Sequence, residues 1–113
     1  MPMGENLLAA SEVCAPGTPL TLPPEPDVQI AARLKVLADP ARLRIVQLLA
    51  ANGSVCACDL EAPLGLSQPT VSHHLRQLTA AGLIARDKRG TWAFYRVEPG
   101  AVSSVAGALQ ALG

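Results

Sequence analysis

The stretch from Val55 to Gly82, VCACDLEAPLGLSQPTVSHHLRQLTAAG, decides how the chain folds. Val71, Leu75 and Leu78 recur at i, i+4 and i+7, one apolar stripe of a helix predicted over Gln68 to Ala81. The opposite side carries Thr70, His73, Arg76 and Gln77, with Ser72 at its edge. A solvated face is ordinarily built of Lys and Glu. This one mixes donors and acceptors and has no acid, which suits the floor of a DNA major groove. Ser67 stands at the capping position, Pro69 in the first turn, and Gly82 where the helix must stop. Upstream, Leu64-Gly65-Leu66 supplies the glycine-containing turn that joins the two helices of a helix-turn-helix, the first being predicted over Cys56 to Leu64.

Further upstream, Asp27 caps a helix that runs to about Ala38, with Ile30, Leu34 and Leu37 on one face. Asp39-Pro40 opens another, because proline at the first helical position loses no hydrogen bond. That helix follows Leu43, Val46 or Gln47, and Leu49-Ala50 and stops at Asn52-Gly53; Arg42 and Arg44 lie near its start, where a backbone phosphate could be met. Downstream of Gly82 the period changes from helical to alternating. Leu83 to Asp87 and Thr91 to Val97 read as two strands joined at Lys88-Arg89-Gly90, a hairpin with a basic tip. Trp92, Phe94 and Tyr95 are assigned to hairpin and core packing. Pro99 starts a last helix whose Val102, Val105, Ala106, Leu109 and Leu112 form an apolar stripe. Its other face carries no charge, so the helix is expected to pack against a twin in a dimer. The predicted fold is therefore mainly α with a β-hairpin: a homodimeric winged helix-turn-helix over residues 27–113.

Residues 1–26 read as a flexible, acidic, proline-rich N-terminal tail. Pro16, Pro19, Pro23, Pro24 and Pro26 forbid a continuous helix there. As an extended spacer at ~3.1 Å per residue, the segment from Cys14 to Asp27 reaches ~40 Å, enough to cross to a partner subunit. The zero net charge of the chain hides an asymmetry. Glu5, Glu12, Glu25 and Asp27 are the only ionised side chains before residue 28, which leaves nine basic and five acidic ones in the remainder, a net of +4. A mildly basic folded part suits a nucleic-acid partner.

No secretion signal is evident, and no run approaches the ~18–20 apolar residues that span a bilayer. A cytoplasmic protein with no membrane partner is expected, where three cysteines are not structural disulfides. Cys56-Ala57-Cys58 with a distant Cys14 instead points to metal binding or to redox chemistry. The spacing carries a constraint: on a regular helix, residues i and i+2 point ~200° apart. Both thiols can grip one ion only if the first turn is distorted or lies outside the helix. The start of a helix is also expected to favour their thiolates.

Several of these stretches together resemble the ArsR/SmtB family of metal-sensing repressors. They are Ala38-Asp39-Pro40-Ala41-Arg42-Leu43-Arg44-Ile45, the Cys56-Ala57-Cys58-Asp59-Leu60 box, Ser67-Gln68-Pro69-Thr70-Val71-Ser72-His73-His74-Leu75, Gly82-Leu83-Ile84 and the strand from Gly90 to Tyr95. The resemblance covers about residues 28–98. It implies a dimer that sits on palindromic double-stranded operator DNA and leaves it when a thiophilic ion binds. Arsenic-responsive members often carry a third Cys where this chain has Glu61, and members that sense zinc, cobalt or nickel through the last helix need Asp and His pairs that residues 99–113 lack. Cys14 is the remaining thiol, and related proteins with N-terminal cysteines take that ligand from the opposite subunit.

The ligand set expected is Cys14, Cys56 and Cys58. Three thiolates suit arsenite or antimonite, which form three bonds in a pyramid; cadmium, lead and zinc stay open as alternatives, with zinc and cadmium needing a fourth donor. A thiol redox switch on the same scaffold is the other open reading. The DNA-contacting residues expected are Gln68, Thr70, Ser72, His73, Arg76, Lys88 and Arg89, with His74 at the border of the core. An enzyme is not expected: the motif is C-x-C rather than C-x-x-C, without a βαβ pattern or a phosphate-binding glycine loop, and no small organic substrate is foreseen.

Overall fold

The computed structural model describes residues 16–25 and 27–113. Cys14 and most of the N-terminal tail lie outside the described residues. Residues 18–25 are exposed and form neither helix nor strand, as their prolines require. The elements then run α1 (Val28–Leu37), α2 (Pro40–Asn52), β1 (Val55–Cys56), a 3-10 turn (Ala57–Leu60), α3 (Glu61–Leu64), α4 (Gln68–Ala80), β2 (Ile84–Arg89), β3 (Trp92–Val97) and α5 (Pro99–Gln110). With α3 and α4 as the helix-turn-helix and the β2–β3 hairpin as the wing, this is the expected winged helix-turn-helix.

The caps act largely as their residue types dictate. The Asp27 carboxylate accepts from the Gln29 amide at 2.9 Å, and Asp39 accepts from the Ala41 and Arg42 amides at 2.9 and 3.1 Å. Such caps stabilise a helix by about 1 kcal/mol each. Ser67 stands at the N-cap of α4 but makes no side-chain bond to the helix amides; its hydroxyl meets that of Thr70 at 3.0 Å. Gly82 closes α4 with φ +74°. The Gly82 amide donates to the Thr79 carbonyl and the Leu83 amide to that of Leu78, the paired bonds of a helix end that needs a left-handed residue.

The core is one aliphatic cluster. Val71, Leu75 and Leu78 of α4 meet Ile45 and Leu49 of α2, Leu60, and Leu83, Ile84 and Tyr95 of the wing base. Burying each Leu or Ile contributes roughly 1.5–3 kcal/mol. In α2 the buried pair is Ile45 and Leu49, while Leu43 is half exposed. Leu49 of the expected stripe is thus buried and Val46 packs against the core, while Ile45 takes the inward place expected of Leu43. In α5, Ala101 and Val105 face inward, whereas Val102 and Leu109, and Leu112 just beyond the helix, stay open. The apolar stripe of α5 thus splits into a half that packs on its own chain and a half that does not.

Two boundaries differ from the sequence reading. The helix expected over Cys56 to Leu64 is instead a strand residue pair, a 3-10 turn and one turn of α-helix. Val55 pairs with Tyr95 and Cys56 with Phe94, so β1 completes a three-stranded antiparallel sheet in the order β1-β3-β2. A pairing across about forty residues leaves no local period to read. The wing turn also moves: Arg89 pairs with Trp92, leaving Gly90-Thr91 as a two-residue loop. Such loops favour positive φ, and Gly90 has φ +63°.

Candidate nucleic-acid interface and thiol site

Helix α4 turns its stripe inward and leaves Gln68, Thr70, His73, Arg76 and Gln77 exposed, with Ser72 half-buried. The predicted face is thus one continuous surface. Gln68 Nε2 donates to Ser72 Oγ at 2.9 Å, which pre-orients both side chains one turn apart. His74 borders the core, its Nδ1 lying 3.4 Å from Arg42 Nη1. Arg42 itself is committed inside the fold: its Nε donates to the Val36 carbonyl at 2.7 Å. Arg42 therefore braces α1, α2 and α4 from near the start of α2. Arg44 remains exposed on α2.

On the wing, Lys88 is exposed near the tip. Arg89 is exposed too, but its guanidinium carbon lies 4.5 Å from the centre of the Phe94 ring, and Nη2 reaches Ser54 Oγ at 3.5 Å. Part of its charge is thus held against its own sheet. Trp92, assigned to packing from sequence, is 58% exposed. The hairpin alternates faces, and Trp92 falls near the loop, where the core no longer reaches.

Two arginines went unassigned in the sequence. Arg86 lines a groove of about 620 Å³ between α4 and the wing, together with Ser72, Arg76, Thr79 and Tyr95. The period of two along β2, which places Arg86 on the face of Lys88, was the available signal. Arg33 of α1 donates from Nε to the Ala81 carbonyl at 2.9 Å. A cation there neutralises the negative end of the α4 dipole. It also explains a second constraint on Gly82: a Cβ at that position would come within 3.1 Å of Arg33 Nη2. A contact between residues 48 apart leaves no trace in local pattern.

The thiols come together where the regular elements give out. Cys56 ends β1 and is buried; Cys58 is in the 3-10 turn and exposed. Both are free, with Sγ atoms 3.0 Å apart. The helical divergence that would have separated them does not apply, because neither lies in α3 proper. The other expectation fails at Cys58, whose thiolate the site does not favour. The hydrogen bond shared with Cys56, which holds the proton on Cys58, desolvation and the negative Asp59 push the Cys58 thiol up to about 11. A 3-10 turn of four residues has too few aligned amides to offset this.

As donors the residues fit a thiophilic ion in part. Two soft sulfurs stand at a separation that one bridging atom can bond to both. Among the described residues no group of three or more His, Cys, Asp or Glu is placed to hold a metal ion. Neither Asp59 nor Glu61 thus completes the pair, and the third expected ligand, Cys14, lies outside the described residues. Also among the described residues, no helix is long and apolar enough to cross a membrane.

Known proteins share this arrangement. The model of the family described as "Bacterial regulatory protein, arsR family" matches residues 39–86. An uncharacterised HTH-type transcriptional regulator of Methanocaldococcus jannaschii is 49% identical over 63 residues, 56% of this chain and 71% of that protein. The arsenical resistance operon repressor of Escherichia coli K12 is 48% identical over 65 residues, 58% of this chain and 56% of its own length. The match thus spans just over half of that repressor. Among solved structures, the homodimeric winged helix-turn-helix DNA-binding domain of a possible ArsR-family regulator from Mycobacterium bovis superposes with a TM-score of 0.61 at 30% identity, covering 74% of this chain and 78% of that one. The winged helix-turn-helix fold and these relatives agree: the chain belongs to the arsR family of bacterial regulatory proteins, DNA-binding transcription regulators rather than enzymes.

Proposed function

We propose that this chain is a cytoplasmic, homodimeric repressor that releases operator DNA when arsenite or antimonite bonds to Cys56, Cys58 and Cys14. The observation that carries the reading is the pair of free sulfurs 3.0 Å apart at the foot of the wing. The Escherichia coli relative is named for arsenical resistance. Trivalent arsenic takes three sulfurs and keeps a lone pair in the fourth direction, so two thiols and the one remaining Cys satisfy it. Zinc and cadmium prefer four donors. The twin subunit covers the open apolar residues Val28 of α1, Val102 and Leu109 of α5 and Leu112 just beyond it. It also places the second α4 one helical turn of DNA away, ~34 Å.

The operator is held by Gln68, Thr70, Ser72, His73 and Arg76 in the groove and by Lys88 and Arg89 on the backbone. Bonding at the thiols acts on two routes at once: β1 is hydrogen-bonded into the wing through β3, and the 3-10 turn packs against α4. A coupling of about 1–3 kcal/mol lowers operator affinity ~5–150-fold. A second reading, a redox switch, is favoured by the same short contact. Peroxide would take two electrons from the two thiols, form one S–S bond and leave two waters. Mobility shifts on the upstream DNA, with arsenite, antimonite, cadmium, lead and zinc under reducing conditions and with peroxide alone, separate the two. Release by arsenite and antimonite is expected. Release by peroxide alone would replace the sensor reading with the redox one.

A further inference from the structure

Two half-buried arginines tie α4 to α1, and they do so at two separate points. Arg33, on α1, donates from Nε to the Ala81 carbonyl at the end of α4, at 2.9 Å. Arg42 works from α2. Its Nε donates to the Val36 carbonyl in the last turn of α1 at 2.7 Å, and its Nη1 lies 3.4 Å from Nδ1 of His74 on α4. A guanidinium only donates, so Nδ1 of His74 is the acceptor. The Val36 and Ala81 carbonyls stand at helix ends, where no donor of their own helix serves them. His74 and Ala81 are seven residues apart, ~10 Å along the helix axis. A single tie leaves a helix free to swing about it; two ties this far apart fix its direction. Helix α1 also packs on α5, and these two helices carry the open apolar residues Val28, Val102 and Leu109.

We infer that Arg33 and Arg42 are positioning residues that set the distance and angle between the two α4 helices of the dimer, and hence the half-site spacing the protein accepts. The inference rests on the dimer proposed above, with the open faces of α1 and α5 at its centre. Magnitudes decide why polar ties are needed. One base pair added between half-sites moves the second by roughly 3.4 Å, so each α4 must be held more closely than that. Apolar contact is non-directional and lets a helix slide. A hydrogen bond fades over a few tenths of an ångström beyond ~3 Å, and as its angle closes. The chain from dimer face to DNA face therefore runs through α1, two guanidinium groups and α4.

The test reads the inter-helix distance without DNA. Gln77, exposed on α4, is replaced as Gln77→Cys and given a nitroxide label in the full chain whose three native cysteines are changed to serine. Double electron–electron resonance then measures the separation of the two labels in the dimer. The parent is expected to give one narrow distance distribution. Arg33→Met and Arg42→Met keep an apolar stem, lose the donors and should give broad ones. Arg33→Gln, too short to reach the Ala81 carbonyl, should broaden it likewise and serves where a Met variant does not fold. With native cysteines and no label, Arg33→Met should lose roughly 2- to 30-fold of the preference for the upstream DNA over a random-sequence duplex. The salt dependence of random-duplex binding should stay as in the wild type. A parent-like distribution in any folded variant that has lost its tie would overturn the inference and leave the dimer standing. A salt slope smaller by about 1 would make Arg33 a phosphate contact and overturn it as well. No inter-label distance in the parent would bring down the dimer reading, and the inference with it.

Discussion

Helix α4, the proposed groove reader, and the thiol loop lie against one another, yet they are built on opposite plans. Helix α4 is regular over thirteen residues, closed by a left-handed glycine and braced from α1 by Arg33. The thiol loop passes through three conformations within ten residues, from strand to 3-10 turn to a single turn of α-helix. One region presents a fixed surface; the other holds two sulfurs in contact with little regular hydrogen bonding around them. A repressor needs this division. The part that reads DNA gains from rigidity, whereas the part that senses must be able to rearrange at low cost.

If the division is real, each region should be damaged without the other. The largest effect belongs to the DNA face. Arg76→Ala removes an exposed cation from that surface and is expected to weaken operator binding by about 1–3 kcal/mol, roughly 5- to 150-fold. The rate at which the free thiols react with a colorimetric disulfide reagent should stay as in the wild type. A changed rate would mean that the two regions are one unit.

A smaller effect sharpens the comparison from the other side. Cys58 is exposed, but its thiol is pushed up to about 11 by the Cys56 hydrogen bond, desolvation and Asp59. Alkylation requires the thiolate, so labelling of Cys58 in ion-free protein should be slow at neutral pH and keep rising as pH approaches that value. Cys56→Ser keeps a hydrogen-bonding neighbour but removes the thiol–thiol contact, and should move the profile less than Cys56→Ala. A profile that levels off near neutral pH would show a thiolate that the contacts described here do not permit.

The same contrast explains what could be read in the amino-acid sequence. Val71, Leu75 and Leu78 announce α4 because helical period is a local property, and Asp27, Asp39 and Gly82 mark boundaries through bonds to near neighbours. The wing is legible for the same reason, though its loop narrows from Lys88-Arg89-Gly90 to Gly90-Thr91 because Arg89 pairs with Trp92. The thiol loop was misread as helix because Ala57, Asp59 and Leu60 do not oppose one, and the force that extends Cys56 is its pairing with Phe94, far along the chain. The partners of Arg33, Arg42 and Arg86 were missed alike: they are set by packing, not by spacing.

The most direct measurement of the central claim is operator affinity of the wild type, Cys56→Ser and Cys58→Ser, each with and without arsenite. Both serine variants should bind DNA as tightly as the wild type, since neither residue is on α4, the proposed DNA contact, and neither should release it when arsenite is added. Release of a serine variant by arsenite at the wild-type concentration, or loss of DNA binding without any ion, would contradict a sensing role for the thiol pair.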